Sequence, residues 1–354
     1  MSTLPDPIEP DEIEPQETEP HAIEPRGEEK LIPNEAESAP PSEPAVILPL
    51  ETPAEQPSSQ TAAELQPSGE PAAASFLANY APPEPPTRFP NFADLGVFIL
   101  LAIFGWVGSL ALFGIALHFH LFGVTSVKQA LTEIHYTLGT QAIWYLFAIA
   151  GCLFMFPPIW NKGFFAGVEW RGMIALRMRW RLFAAALVCF GLAIADSILI
   201  PGPSDTPIDQ IFRMPGAAWL LFGFGVTLAP FFEELAFRGF LLPAVCTAWD
   251  WVNERLAKRP APWPDPDGKT QWSLSSMAVA SVLTSIPFAL MHAEQTVYSL
   301  GPFLLLVTVS LVPCWVRLST RSLAASTIVH SSYNFLLFSL MLAGTGGFKH
   351  LDKM

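Results

Sequence analysis

The chain has 354 residues, 51% of them hydrophobic and 14% charged, with a formal net charge of −13 and a mean hydropathy of +0.36. Soluble domains usually carry about 25% charged residues, so this composition argues against an ordinary water-soluble enzyme. The acidity is confined to one end: residues 1–90 hold 18 of the 32 acidic residues, 3 of the 19 basic residues and 20 of the 35 prolines, which leaves 14 acidic and 16 basic residues in 91–354.

The stretch 1–90 is expected to be disordered. It has too few branched and aromatic side chains to offset the entropy of ordering its backbone, and its prolines favour extended, polyproline-like conformations. An irregular repeat (Ile8-Glu9-Pro10, Ile13-Glu14-Pro15, Ile23-Glu24-Pro25) grades into an Ala/Pro/Ser-rich segment. This is low complexity, suited to a solvated spacer, an acidic tether for a basic partner, or a tail with no specific binding. The first residues lack a basic n-region and an apolar h-region, so no signal peptide is expected.

After Asp94 the charges thin out. None falls in 95–127, 134–161, 214–232, 270–293, 295–316 or 322–348, and a bilayer crossing needs about 20 mainly apolar helical residues. The pattern predicts seven transmembrane helices near 95–118, 138–158, 181–201, 216–246, 273–296, 300–317 and 322–344. The fold class is therefore all-α: a polytopic membrane helix bundle with a disordered acidic Pro-rich tail. Backbone facing lipid must satisfy its own hydrogen bonds, and the runs lack the alternation of a barrel. The expected organisation is a tail (1–90), N-terminal transmembrane helices (91–210), a second transmembrane region (211–345) and a C-terminal tail (346–354).

Basic residues cluster in three loops: Lys162, Arg171, Arg177, Arg179 and Arg181; Arg255, Lys258, Arg259 and Lys269; Arg317 and Arg321. Seven crossings put these clusters on one side, which the positive-inside rule makes cytoplasmic together with the acidic tail. Lys349 and Lys353 weakly oppose this orientation. Cys152, Cys189, Cys246 and Cys314 lie in or beside apolar runs without CxxC spacing and read as packing residues.

Ionisable groups inside membrane helices are costly, about 2.5–3.5 kcal/mol each on insertion scales, and so mark function by default. The fourth predicted helix carries Glu233, Glu234 and Arg238. Glu234 and Arg238 are four apart and can pair on one face, while Glu233 is rotated away by one step. Two carboxyls in different environments suit general acid/base work, although the Glu234–Arg238 pair alone would also suit a structural staple. Pro230 leaves the Val226 carbonyl without its helical donor and is expected to kink the helix beside Glu233. The fifth helix offers Phe288 and His292, the seventh His330 and Asn334, each pair one turn apart. Either histidine alone would suit an interhelical hydrogen bond. Glu294, His118, His120 and His135 read as boundary residues, and Asp196 as either snorkelling or lining a cavity.

Glu233-Glu234-x-x-x-Arg238, Phe288-x-x-x-His292 and His330-x-x-x-Asn334, in that order on three hydrophobic segments, resemble the CAAX prenyl protease 2 and bacteriocin-processing intramembrane endopeptidases (CPBP, also called Abi). The resemblance covers about 215–345. It implies hydrolysis of a peptide bond by water activated at Glu233 as general base, with His292 holding the water. It further implies that His330 and Asn334 donate to the oxyanion, with Glu234, Arg238 and Phe288 in support. No cofactor is expected. Zinc held by Glu233, His292 and His330 is the alternative, against which stands the absence of an HExxH signature. The implied partners are a prenylated or other peptide or protein substrate presented at the membrane and the bilayer itself, with no nucleic acid. With no organelle signal and an acidic extension, a bacterial inner membrane is expected, the tail on the cytoplasmic side. The rival readings are a non-catalytic peptide-binding immunity or scaffold protein and a proton-coupled transporter, the latter disfavoured by the lack of an inverted repeat.

Overall fold

A computed structural model describes residue 88 and residues 90–200, 207–214, 216–257, 272–295 and 297–349. Apart from Arg88 and Pro90, the acidic tail lies outside the described residues, as do Lys258, Arg259, Lys269 and Lys353. Among the described residues there is no strand, and seven helices are long and apolar enough to cross a membrane. They are α1 (Phe92–His118), α2 (Ile134–Trp160), α3 (Arg179–Leu199), α4 (Ala217–Ala257), α5 (Leu274–Met291), α6 (Leu300–Thr320) and α7 (Leu323–Gly344). Large apolar side chains face outward, with Phe104, Phe154 and Trp180 exposed by 71%, 80% and 73%. Such a surface is stable against lipid and not against water, so this is an integral membrane protein.

Helix α1 starts at a capping box: the Asn91 side chain accepts from the Asp94 amide, and Asp94 accepts from the Asn91 amide. The other Asp94 oxygen accepts from Trp160 Nε1 at 2.9 Å, tying the start of α1 to the end of α2. Midway, Trp144 Nε1 donates to the Ala102 carbonyl at 2.7 Å. This close approach requires Gly105, where an added Cβ would lie 3.0 Å from the Ala148 nitrogen and 3.1 Å from the Trp144 carbonyl oxygen. Gly105→Val is expected to cost about 1–3 kcal/mol through overpacking. A lowered thermal midpoint in detergent would report this, whereas Gly114→Val, with nothing within 4 Å, should leave the midpoint unchanged.

Two apolar clusters flank α4. Phe98, Tyr145, Phe156, Phe232 and Phe240 join it to α1 and α2, while Leu182, Cys189, Val309, Val329 and Tyr333 join α3, α6 and α7. All four cysteines are buried and free, as packing residues would be. His118, His120, His135 and Glu294 are exposed, and Asp196 is half-buried.

Helix α4 is not one regular helix. It breaks at Thr227 (φ −118°, ψ −82°), next to the Val226 carbonyl that the Pro230 ring cannot tolerate in a continuous helix. It then runs regularly through Leu228–Glu234 and widens into a π-helix over Leu235–Leu241, an irregularity that recurs at functional sites.

Helix α5 is shorter than the expected 273–296. It ends at Met291, with His292 as its C-cap. The His292 amide bonds Ala289, three residues back, and the imidazole Nδ1 takes up the Phe288 carbonyl at 2.9 Å. The side chain therefore occupies an acceptor that a further helical turn would have used, and the chain leaves in turns with positive φ at Val297 and Tyr298.

A second departure concerns Arg317, expected as a loop-flanking charge. It is 2% exposed. Its guanidinium bridges Glu169 Oε2 (2.8 Å) and the carbonyl of Arg238 (3.3 Å). The 161–171 connection folds back to supply this partner, with Glu169 itself in the left-handed region at φ 55° and its carbonyl accepting from the Leu323 amide.

Candidate active site

The broken helix α4 delivers three charged side chains into the bundle. Glu234 and Arg238 are fully buried and paired, with Oε1 and Nη1 2.9 Å apart. Arg238 Nη2 donates to the Ser310 hydroxyl (2.7 Å) and carbonyl (2.9 Å) of α6. Its guanidinium also lies 4.6 Å over the Phe288 ring, a cation–π contact that strengthens away from water. Phe288 in turn meets both imidazoles, with ring centroids 4.9 Å from His292 and 5.7 Å from His330. It is the wedge that spaces arginine and histidines.

Glu233 faces away from this pair, as one helical step dictates. Its Oε2 lies 3.9 Å from His292 Nε2 and 3.7 Å from His330 Nε2. Both separations are too long for a direct hydrogen bond, and the three polar atoms form a cluster that a water seated against them from the cavity side can contact together. The opposite ring nitrogen of each histidine is engaged: Nδ1 of His292 by the Phe288 carbonyl, and Nδ1 of His330 by Glu234 Oε1 at 3.1 Å. These contacts put a hydrogen on each Nδ1 and aim each Nε2 at Glu233. The two glutamates thus differ, Glu234 locked by Arg238 and His330, Glu233 presented to open space.

That space is a cavity of about 370 Å³. Glu233, Arg238, Phe288, His292, His330 and Asn334 line it, so of the seven residues singled out by sequence only Glu234 lies behind the wall. Asn334 does not simply point inward: its Nδ2 donates to the Gly225 carbonyl at 2.8 Å, just before the break at Thr227. That contact depends on close packing of α4 on α7, since a Cβ at Gly225 would come 2.9 Å from the Phe338 ring. Further residues that the motifs did not single out contribute. Ser310 anchors Arg238, Arg317 holds its carbonyl, and Gln141 of α2, Gln295 and Tyr333 line the cavity.

A carboxylate with two imidazoles is a donor set that zinc accepts, but tetrahedral bonds of about 2.1 Å bring ligand atoms to roughly 3.4 Å of one another. Here the separations are 3.9 and 3.7 Å, and among the described residues no group of three or more His, Cys, Asp or Glu is arranged to hold a metal ion.

In comparisons with known proteins, residues 215–336 match a family described as Rce1-like, type II CAAX prenyl endopeptidase Rce1-like. The matched segment runs from the start of α4 into α7 and contains every motif residue from Glu233 to Asn334. No curated protein and no solved structure matches the chain.

Proposed function

Taking residues 215–336 as a segment of the type II CAAX prenyl endopeptidase Rce1-like family, we propose that the protein cleaves a peptide bond of a membrane-presented substrate with water activated by Glu233. The observation that carries this is the approach of one carboxylate to two imidazole nitrogens, at 3.9 and 3.7 Å, on the wall of a cavity inside the bundle. Water held there loses a proton to Glu233 as its oxygen attacks the substrate carbonyl carbon. Asn334, through its second amide hydrogen, and His330, in the form that carries a proton on both ring nitrogens, donate to the developing oxyanion, and Glu233 then returns the proton to the leaving amine as the C–N bond breaks. A positioned base typically contributes 10²–10⁴-fold and an oxyanion donor about 3 kcal/mol. Glu234 acts through His330, orienting the ring, while Arg238 compensates its charge. Phe288 sets the spacing.

The substrate is a peptide or protein at the membrane, prenylated near its C-terminus or otherwise. Basic residues, Arg171 and Arg317 among them, gather at one end of the bundle, which favours a cytoplasmic location for that end; the setting proposed is a bacterial inner membrane with the acidic tail in the cytoplasm. No metal takes part. The test uses purified protein in lipid vesicles with a farnesylated peptide ending in a Cys-aliphatic-aliphatic-X sequence, its products mapped by mass spectrometry. Cleavage that persists after exhaustive chelation is the expected outcome; loss on chelation with recovery on adding zinc would overturn the metal-free assignment.

A further inference from the structure

The cavity has a wall that the matched segment does not supply. Helix α2, outside residues 215–336, contributes Leu138 and Gln141 to it. Gln141 Nε2 donates to the hydroxyl oxygen of Tyr145, one turn on, at 2.9 Å. The phenol accepts in that bond, so its own hydrogen stays available, as do the second amide hydrogen and the Oε1 of Gln141. Among the described residues no other hydrogen bond engages these atoms.

Tyr145 is a rigid support. It is 4% exposed, and its ring stacks on Phe232, centroids 3.9 Å apart and planes within 12°. Phe232 immediately precedes Glu233. The carboxamide of Gln141 is thereby held in register with the glutamate by an aromatic stack. Around it the lining is largely apolar, including Leu138, Leu221, Phe224 and Leu306.

An extended peptide brings alternating N–H and C=O groups into such a cavity, and each costs free energy unless it is paired. A glutamine carboxamide offers a donor and an acceptor side by side, the complement of one backbone amide unit. We propose that Gln141, held by Tyr145, is a substrate-binding residue that pairs with a backbone amide of the peptide near the scissile bond and sets its register against Glu233. Backbone groups are common to all sequences, so this contact places the peptide without selecting its side chains. The proposal rests on the endopeptidase assignment made above.

The experiment measures binding of the fluorescent farnesylated peptide to Glu233→Gln protein in nanodiscs, so that no cleavage intervenes. Gln141→Leu is expected to raise Kd about tenfold and Tyr145→Phe, which keeps the ring on Phe232, about threefold. In active protein the same Gln141 change should raise KM about tenfold, with a smaller effect on kcat. An ester-for-amide scan of the peptide should reveal one position whose replacement weakens binding to Gln141 protein but adds nothing in Gln141→Leu. Equal Kd with and without Gln141, including no binding by either, or ester effects identical in both backgrounds, would overturn the proposal. If Gln141→Leu lowers the thermal midpoint, Gln141→Glu, which keeps the shape and loses the donor, takes its place in the same comparison. Failure of the endopeptidase assignment is read separately, as binding that depends on Gln141 in a protein that never cleaves the peptide.

Discussion

Glu233→Gln should lower kcat/KM for peptide cleavage by about 10²–10⁴-fold, or roughly 3–5 kcal/mol of transition-state stabilisation, while leaving the folded protein intact. The substitution is nearly isosteric. It removes the basic lone pair without emptying space, and Glu233 makes no short direct ion pair, its nearest imidazole nitrogen lying 3.7 Å away. Thermal stability should therefore stay near that of the parent while turnover collapses. Cleavage unchanged in this variant would remove Glu233 from its role as base. Protection or peptide sequestration in cells that survives the substitution would favour a non-catalytic scaffold.

The neighbouring charges should respond in the opposite way. Arg238→Met leaves Glu234 buried without its guanidinium and takes two hydrogen bonds from Ser310. Breaking a buried pair by removing one partner costs about 3–5 kcal/mol, so a large fall in the detergent unfolding midpoint is expected along with lost activity. Combining Arg238→Met with Glu234→Leu removes both charges, and the double variant should recover much of the lost stability without recovering turnover, because His330 then loses the carboxylate that holds its Nδ1. The cycle of single and double variants gives the coupling energy directly. Additive stability losses would mean that Glu234 and Arg238 are not coupled as their 2.9 Å contact implies.

The helical architecture was legible because, within a membrane, charge is confined to loops and to function. Six charge-free runs located six of the seven long helices, the third being read as a span despite Asp196 within it, and Glu233, Glu234 and Arg238 stood out as charges lying where lipid should be. Spacing one turn apart was enough to pair Glu234 with Arg238 and Phe288 with His292. What stayed hidden depends on distant parts of the chain. Arg317 reads as an ordinary flanking charge until the 161–171 connection folds back 148 residues away in sequence and places Glu169 against it. Helix α5 stops at Met291, a few residues before its expected end at 296, where the His292 ring replaces a backbone donor, a local contact that helix propensity does not signal. Gln141 and Tyr145 are uncharged residues in an apolar helix and gain meaning only from the cavity they face. The break in α4 was foreseeable from Pro230, but the π-helix around Arg238 was not, since nothing in Leu235–Leu241 sets the hydrogen-bond spacing of its backbone.

Isotope labelling tests the water mechanism most directly. Protein in vesicles is given the farnesylated peptide in H₂¹⁸O under single-turnover conditions, and both the cleaved peptide and the Glu233-containing fragment of the enzyme are weighed by mass spectrometry. Direct attack by water activated at Glu233 predicts one ¹⁸O in the new C-terminal carboxylate of the product, no label in Glu233, and product from Glu233→Gln formed about 10²–10⁴-fold more slowly. Label appearing in Glu233, or a peptide left uncleaved by the parent protein, would contradict it.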